Sequence, residues 1–431
     1  MSLKHTWLPA NKPETINPLE IILANGPYLY TKDKQQLYDA ISSWWCKPLG
    51  HRHPLITQSI QEQLNYFEHH IPANAYNATI EELSTQLVNI FTQMDKVLYA
   101  SDGSSAVEIA MKLSYETRVL NKDLQRTKFL ALHGAYHGET IFTLGVCGIP
   151  AYTKNYAKLI TENYFIDEIV YVESPQDPQW DAAQFDYTKL EGFFALHAHE
   201  ITALIIEPVV QGAIGLKIIS RDYLIKLINL AKQYQIHIIA DEIMVGLGRL
   251  GHLSVCKELL NIEPDLVCFA KNLTAGSIPM SCVVVNQSIS NIYRQHDQIF
   301  PHSHTHSCNS LGAAVAVKYL ELLQTSDILS QVKLAENQLY QFSCELQQSF
   351  DFIEETHTIG TIAAWKLNLS SQLITQIVPL ALKLDLYLRP INNTIYILPP
   401  IYNLVEDLKI ILPKIQQLFT QLSKLNKEST Y

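Results

Sequence analysis

Gln235-Ile236-His237-Ile238-Ile239-Ala240-Asp241-Glu242 and, further along the chain, Asp265-Leu266-Val267-Cys268-Phe269-Ala270-Lys271 decide how this sequence folds. Each is a short run of apolar, largely β-branched residues that closes on an ionisable side chain. Strands buried on both faces of a parallel sheet read this way, because helices cover both sides and no polar alternation is needed. An acid and an amine at the tips of two such strands meet in one pocket at the carboxyl edge of the sheet, where open α/β folds gather ligands.

Outward from this pair, short apolar runs alternate with helix-patterned stretches between about residues 80 and 310. Strands are expected at Lys96–Tyr99, Lys128–Leu132, Glu168–Val172, Ala203–Ile206, Ile236–Ala240, Leu266–Phe269 and Cys282–Val285. The alternation predicts an α/β fold: a mostly parallel, mixed sheet flanked by helices. The last third changes character, with a helical stretch over Leu311–Ser349, strands near Ile362–Leu367 and Thr394–Leu398, and a C-terminal helix. Together with the N-terminal residues it reads as a smaller α+β domain. The expected division is 1–50 and 312–431 for the smaller domain and 51–311 for the larger.

The 431 residues are 47% hydrophobic and 17% charged, with a net charge of −10. Such a chain buries a large core without staples, and its acidity argues against a nucleic-acid surface. Seven cysteines without a CxxC pair fit a reducing cytoplasm better than a disulfide framework. No uninterrupted apolar run of about 18 residues is present to span a bilayer. The expectation is a cytoplasmic protein with small-molecule substrates, no membrane partner and no nucleic-acid partner.

Several motifs carry chemistry. Ser101-Asp102-Gly103-Ser104-Ser105 follows an expected strand and opens a helix, with Ser105 and Glu108 at capping-box spacing. Free amides and the positive dipole end at such a start suit a phosphate, although a plain cap needs only one of these residues. Tyr136 in Ala135-Tyr136-His137-Gly138 stands where an aromatic ring lies flat on a heterocycle, or simply packs in the core. Glu207-Pro208-Val209-Val210-Gln211-Gly212 puts a carboxylate and an amide at the same edge. Gly246-Leu247-Gly248-Arg249-Leu250-Gly251 matches GxGxxG, but five residues separate it from its strand, so an active-site loop carrying Arg249 is the better reading than a dinucleotide fingerprint. His302, His304 and His306 alternate without further ligands at metal spacing beyond Cys308, and no metal is expected. Trp44 and Trp45 suit an apolar substrate wall, and Arg389 a carboxylate clamp, or a surface ion pair. The Asp241 and Lys271 pair suits pyridoxal 5'-phosphate: the lysine forms a Schiff base with the aldehyde, and the carboxylate keeps the pyridine nitrogen protonated.

These pieces, in this order, resemble the class III (fold-type I) pyridoxal-phosphate aminotransferases over nearly the whole chain. Asp241-Glu242, the Gly246–Gly251 loop and Lys271 are shared with the family at large. Ser42-Ser43-Trp44-Trp45, Tyr136-His137-Gly138-Glu139-Thr140 and Arg389-Pro390 followed by Pro399-Pro400 resemble its biotin-pathway branch. That branch aminates 8-amino-7-oxononanoate to 7,8-diaminononanoate with S-adenosylmethionine as donor. The resemblance implies Lys271 as the Schiff-base lysine and Asp241 as partner of the ring nitrogen. It implies Tyr136 stacked on the ring and Gly103 and Ser104 at the phosphate. Thr305 would reach the phosphate from the neighbouring subunit of a homodimer with shared active sites. Trp44, Trp45 and Tyr136 would line the substrate pocket, with Arg389 on the substrate carboxylate. Three positions depart from the branch: Ala10 stands where it has a tyrosine, Ser303-His304-Thr305 where it has Gly-Pro-Thr, and Glu139 where it has an aspartate. Ala10 leaves open another class III activity, a lysine-donor enzyme of the same step or an ω-amino-acid transaminase.

Overall fold

A computed structural model describes residues 3–13 and 18–428. Its centre is a seven-stranded sheet made of β1 (Met94–Ala100), β2 (Lys128–Leu132), β3 (Tyr164–Ile166), β4 (Ile201–Ile206), β5 (His237–Asp241), β6 (Leu266–Phe269) and β7 (Ser281–Asn286). The order across the sheet is β1-β7-β6-β5-β4-β2-β3. Only β7 runs against its neighbours; β2 to β6 pair in parallel.

Alternate residues of each strand feed separate cores. Ile239, Cys268, Ala203 and Val283 pack with the helix α1 (Gly103–Leu120) on one face. Ile238, Val267, Leu204 and Val284 join the larger core on the other, which includes the helix α2 (Arg221–Gln233). Burial on both faces explains why these strands are almost wholly apolar.

Two expected elements differ. Glu168–Val172 contributes only Tyr171–Val172, antiparallel to Lys217–Ile219 in a separate three-stranded sheet. The place beside β2 is taken by β3, in the register Leu130↔Tyr164. The stretch Leu311–Ser349 is two helices, Ser310–Thr325 and Ile328–Ser349. Ser326 turns extended between them and its hydroxyl donates back to the Leu322 carbonyl at 2.6 Å, a local bond that competes with helix continuation.

The ends of the chain meet. Gln36–Asp39 pairs in parallel with Leu386–Tyr387, at the edge of a sheet whose other strands are Ile21–Asn25 and Tyr28–Thr31. Ile353–Ile359, Ile362–Leu367 and Thr394–Ile397 form an antiparallel sheet covered by Ile328–Ser349. This α+β part, drawn from both termini, sets Ser42–Trp45 against the carboxyl edge of the central sheet.

Candidate active site

Because β1, β2, β4, β5 and β6 all end at the same edge, the loops that follow them converge there. Asp241 sits beside Cys268 in the β5–β6 register, and Lys271 follows β6 after a single alanine. Both line one cavity of about 390 Å³. Gly103, Ser104, Tyr136, His137, Glu207, Trp45 and Cys46 line it as well.

Asp241 is buried and doubly held. Its Oδ2 lies 2.8 Å from His137 Nδ1, and its Oδ1 accepts from the Ile243 amide at 3.2 Å. Among the described residues His137 Nε2 is buried without a partner, so the contact with Asp241 is the one hydrogen bond of the imidazole ring. Glu207 accepts from the Tyr136 and Gly212 amides, each at 3.0 Å, which ties the loop after β2 to the loop after β4. Burial pushes the Glu207 carboxyl up to about 7, against the pull of His137 and the two amides.

Lys271 reaches the cavity with its ammonium 5.1 Å from the centre of the Trp45 ring. Desolvation lowers its pKa, opposed by Asp241 and Glu207. A larger share of neutral amine is what a nucleophilic lysine requires.

The helix start is built differently from the expected Ser105–Glu108 capping box. Asp102 is the N-cap: its Oδ1 accepts from the Ser105 amide at 3.0 Å and its Oδ2 from the Ser105 hydroxyl at 2.7 Å. An acid one turn earlier satisfies the same orphan donors with a charge, so Ser105 is left inside the first turn. The Ala106 amide bonds the Asp102 carbonyl. Among the described residues the Gly103 and Ser104 amides have no protein partner and point from a helix start at the cavity wall. Gly138 presses on this start: at φ +120°, a Cβ there would lie 2.4 Å from Ser104 Oγ.

Trp45 is fixed from behind. Ser42, Ser43 and Trp45 take left-handed φ values of 48°, 61° and 66°, a run of strain that needs bracing. Asp39 supplies it, accepting from the Ser43 amide at 2.9 Å, the Ser43 hydroxyl at 2.8 Å and His51 Nε2 at 3.0 Å. The Ser42 hydroxyl donates to the Leu398 carbonyl, and the Trp45 indole donates to the Tyr396 hydroxyl at 3.0 Å. Arg249 is wholly buried behind the site and donates to the Pro399 carbonyl at 2.7 Å, Thr361 Oγ1 at 3.2 Å and the Trp45 carbonyl at 3.5 Å. The Gly246–Gly251 segment is thus a turn around a buried strut. It lacks the strand-to-helix turn that a dinucleotide fingerprint requires, and Arg249 does not line the cavity.

Three residues marked in the sequence lie outside this cavity. Trp44 is exposed, and the Arg389 guanidinium stacks on its ring at 4.0 Å. Thr305 is exposed on the segment after Phe300, and its carbonyl accepts from His69 Nε2 at 2.8 Å. Tyr136 is in the cavity wall, its hydroxyl donating to Glu139 Oε1 at 2.8 Å, and burial together with that carboxylate pushes its pKa up. Sequence reasoning gave no role to His137, Cys46 or Asp39. His137 stood inside a quoted motif, but only the fold shows that it grips Asp241.

The donor set fits a phosphorylated pyridine aldehyde: free amides at a helix start, a buried acid, a desolvated amine and an aromatic wall around one space. Among the described residues, no group of three His, Cys, Asp or Glu side chains is placed to hold a metal ion. The profile of the aminotransferase class-III family matches residues 10–419. The chain is a class III aminotransferase. Members of this class depend on pyridoxal 5'-phosphate. This class III chain is 30% identical over 436 residues to the adenosylmethionine-8-amino-7-oxononanoate aminotransferase of Helicobacter pylori, covering 98% of each. With the enzyme of the same name from Synechococcus elongatus it shares 31%, covering 97% of this chain and 99% of the relative. An amine transaminase from an uncultivated Pseudomonas species, solved in its PLP-bound form, superposes with a TM-score of 0.88 at 25% identity, over 97% of this chain and 99% of that one. The adenosylmethionine-8-amino-7-oxononanoate aminotransferase of Methanocaldococcus jannaschii shares the fold at a TM-score of 0.87 and 23% identity, over 97% of each chain.

Proposed function

We propose that this class III aminotransferase converts 8-amino-7-oxononanoate to 7,8-diaminononanoate in biotin biosynthesis, with S-adenosylmethionine as the amino donor. The observation that carries the reading is the shared cavity of Asp241 and Lys271 at adjoining strand ends, beneath the open amides of Gly103 and Ser104. Two relatives of that name at 30% and 31% identity, aligned end to end, supply the substrate.

Pyridoxal 5'-phosphate, when bound, supplies an aldehyde for the amine and a ring that accepts electrons. Lys271, its basicity lowered by burial, takes and returns the proton at the reacting carbon of donor and acceptor. Asp241 keeps a proton on the ring nitrogen, and that fixed charge is the largest electrostatic contribution. Tyr136 covers the ring face. Gly103 and Ser104 hold the phosphate, joined by Thr305 of a second copy in a homodimer. Trp45 and Trp44 bound the substrate channel, and Arg389, held flat by Trp44, receives the carboxylate of the oxononanoate. The strand pairing between Gln36–Asp39 and Leu386–Tyr387 supports assigning 1–50 and 312–431 to one smaller domain and 51–311 to the larger. Seven free cysteines suit a cytoplasmic enzyme.

Ala10 favours testing other donors beside adenosylmethionine. The experiment has two arms. Borohydride reduction of the yellow holoprotein, followed by peptide mapping, should place the cofactor on Lys271; a label elsewhere refutes the site. Conversion of 8-amino-7-oxononanoate is then assayed with adenosylmethionine, lysine and 4-aminobutyrate. Turnover with lysine alone reassigns the donor, and no turnover of the oxononanoate with any donor refutes the substrate.

A further inference from the structure

The segment after Phe300 carries three histidines, and two of them form a chain with a fixed direction. Lys112, on α1, places Nζ 2.9 Å from His302 Nδ1, and His302 Nε2 lies 2.9 Å from His304 Nε2. An ammonium only donates, so His302 Nδ1 is the bare acceptor. The neutral ring then carries its proton on Nε2 and donates it to His304 Nε2, which puts the His304 proton on Nδ1. The chain exists only while both rings are neutral. A proton added at His302 Nδ1 meets the lysine ammonium, and one added at His304 Nε2 meets a second N–H.

The packing around the chain has the same bias. His302 stacks on Phe300 with ring centres 5.8 Å apart, and Lys112 stands 5.3 Å from the centre of that ring. Burial, Lys112 and His304 together lower the His302 pKa, against the single opposing carboxylate of Glu108 on α1. The His304 amide donates to Ser307 Oγ at 3.2 Å, and that hydroxyl donates to the Tyr99 carbonyl of β1 at 3.0 Å. From the other side His69 donates to the Thr305 carbonyl, and its ring lies 5.1 Å from that of His306. Thr305 is therefore held between an imidazole chain and a further imidazole.

We propose that His302 and His304 are positioning residues: while both are neutral they hold Thr305 in place, and acidification releases the segment. The consequence for cofactor binding rests on the role given to Thr305 above; the ordering of the segment does not. The sign follows from His302. Its folded pKa lies below the ordinary value of 6.5, so its contribution is complete above 6.5 and is lost as pH falls through the folded value.

Amide hydrogen exchange of the holoprotein at about pH 7.5 and about pH 5.5, corrected for intrinsic rates, reads the segment directly. Protection over residues 300–307 should fall roughly tenfold at the lower pH, while that of the central sheet does not fall. The double variant His302→Gln, His304→Gln keeps an acceptor toward Lys112 and a donor toward residue 304 but cannot titrate, so its protection should not change with pH. Lys112→Met removes the donor that sets the direction and should lower protection at both pH values. Equal protection of the wild-type segment at the two pH values overturns the proposal, as does a double variant that still responds. In parallel, the cofactor dissociation constant should rise roughly tenfold more between the two pH values in the wild type than in the double variant, which shares the titration of Glu207 in the cavity wall. If the segment responds to pH but Thr305→Ala binds cofactor as tightly as the wild type, the role of Thr305 is refuted and the imidazole chain stands.

Discussion

Replacing Asp241 by Asn isolates the charge at the strand tip from its packing. The side chain keeps its size, and one oxygen still accepts from a neighbour. His137 reverses its tautomer to accept from the new amide, so the 2.8 Å contact survives and the cost to folding is about 1 kcal/mol. Under the role proposed for Asp241, what disappears is one negative charge that would face the ring nitrogen. At a hydrogen-bond separation of about 3 Å and an effective dielectric of about 20, that charge is worth about 5 kcal/mol. The His137 N–H already disperses part of it, which leaves roughly 3–4 kcal/mol in the variant's deficit. At about 1.4 kcal/mol per decade, kcat falls by roughly 10²–10³. Single-turnover kinetics on the cofactor-saturated variant, with a urea melt beside it, separate chemistry from stability. A kcat within about tenfold of wild type, with the melt unchanged, refutes the assignment of Asp241 to the ring nitrogen.

Lys271→Ala should retain cofactor, by absorbance after gel filtration, yet turn over less than about one part in a thousand of the wild-type rate. Arg249→Met removes a buried cation and leaves the Pro399 and Trp45 carbonyls unsatisfied. A loss of about 3–5 kcal/mol is expected by denaturant unfolding, with KM rising because Trp45 is no longer braced. Burial holds both Glu207 and Glu242 at about 7, above the ordinary 4.5. A raised carboxyl stabilises the fold below its unfolded pKa and loses that contribution as pH rises through the folded one. Between about pH 6 and about pH 8 the two should therefore cost about 2–3 kcal/mol, and Glu207→Gln should flatten roughly half of the slope in urea melts.

Much of this was open to reading in one dimension. Apolar runs ending in Asp241 and Lys271 announced parallel strands because only residues covered by helices on both faces tolerate such composition. Lys128–Leu132 and Leu266–Phe269 follow the expected limits to the residue. Local chemistry likewise marked Gly103 and Ser104, since a helix start advertises itself by its own caps.

Tertiary structure decided which of these groups share a space. Strand order, with β7 inserted against its neighbours, brings the β1 end across to β5 and β6, and no local pattern encodes that order. It made Arg249 a strut and not a pocket residue, turned Trp45 inward while leaving Trp44 in solvent, and gave Asp241 a histidine from 104 positions earlier. Short-range periodicity records which face of an element is buried. Which buried faces meet depends on contacts between residues hundreds of positions apart, as when the Trp45 indole finds the Tyr396 hydroxyl, and these form only once the chain has closed on itself.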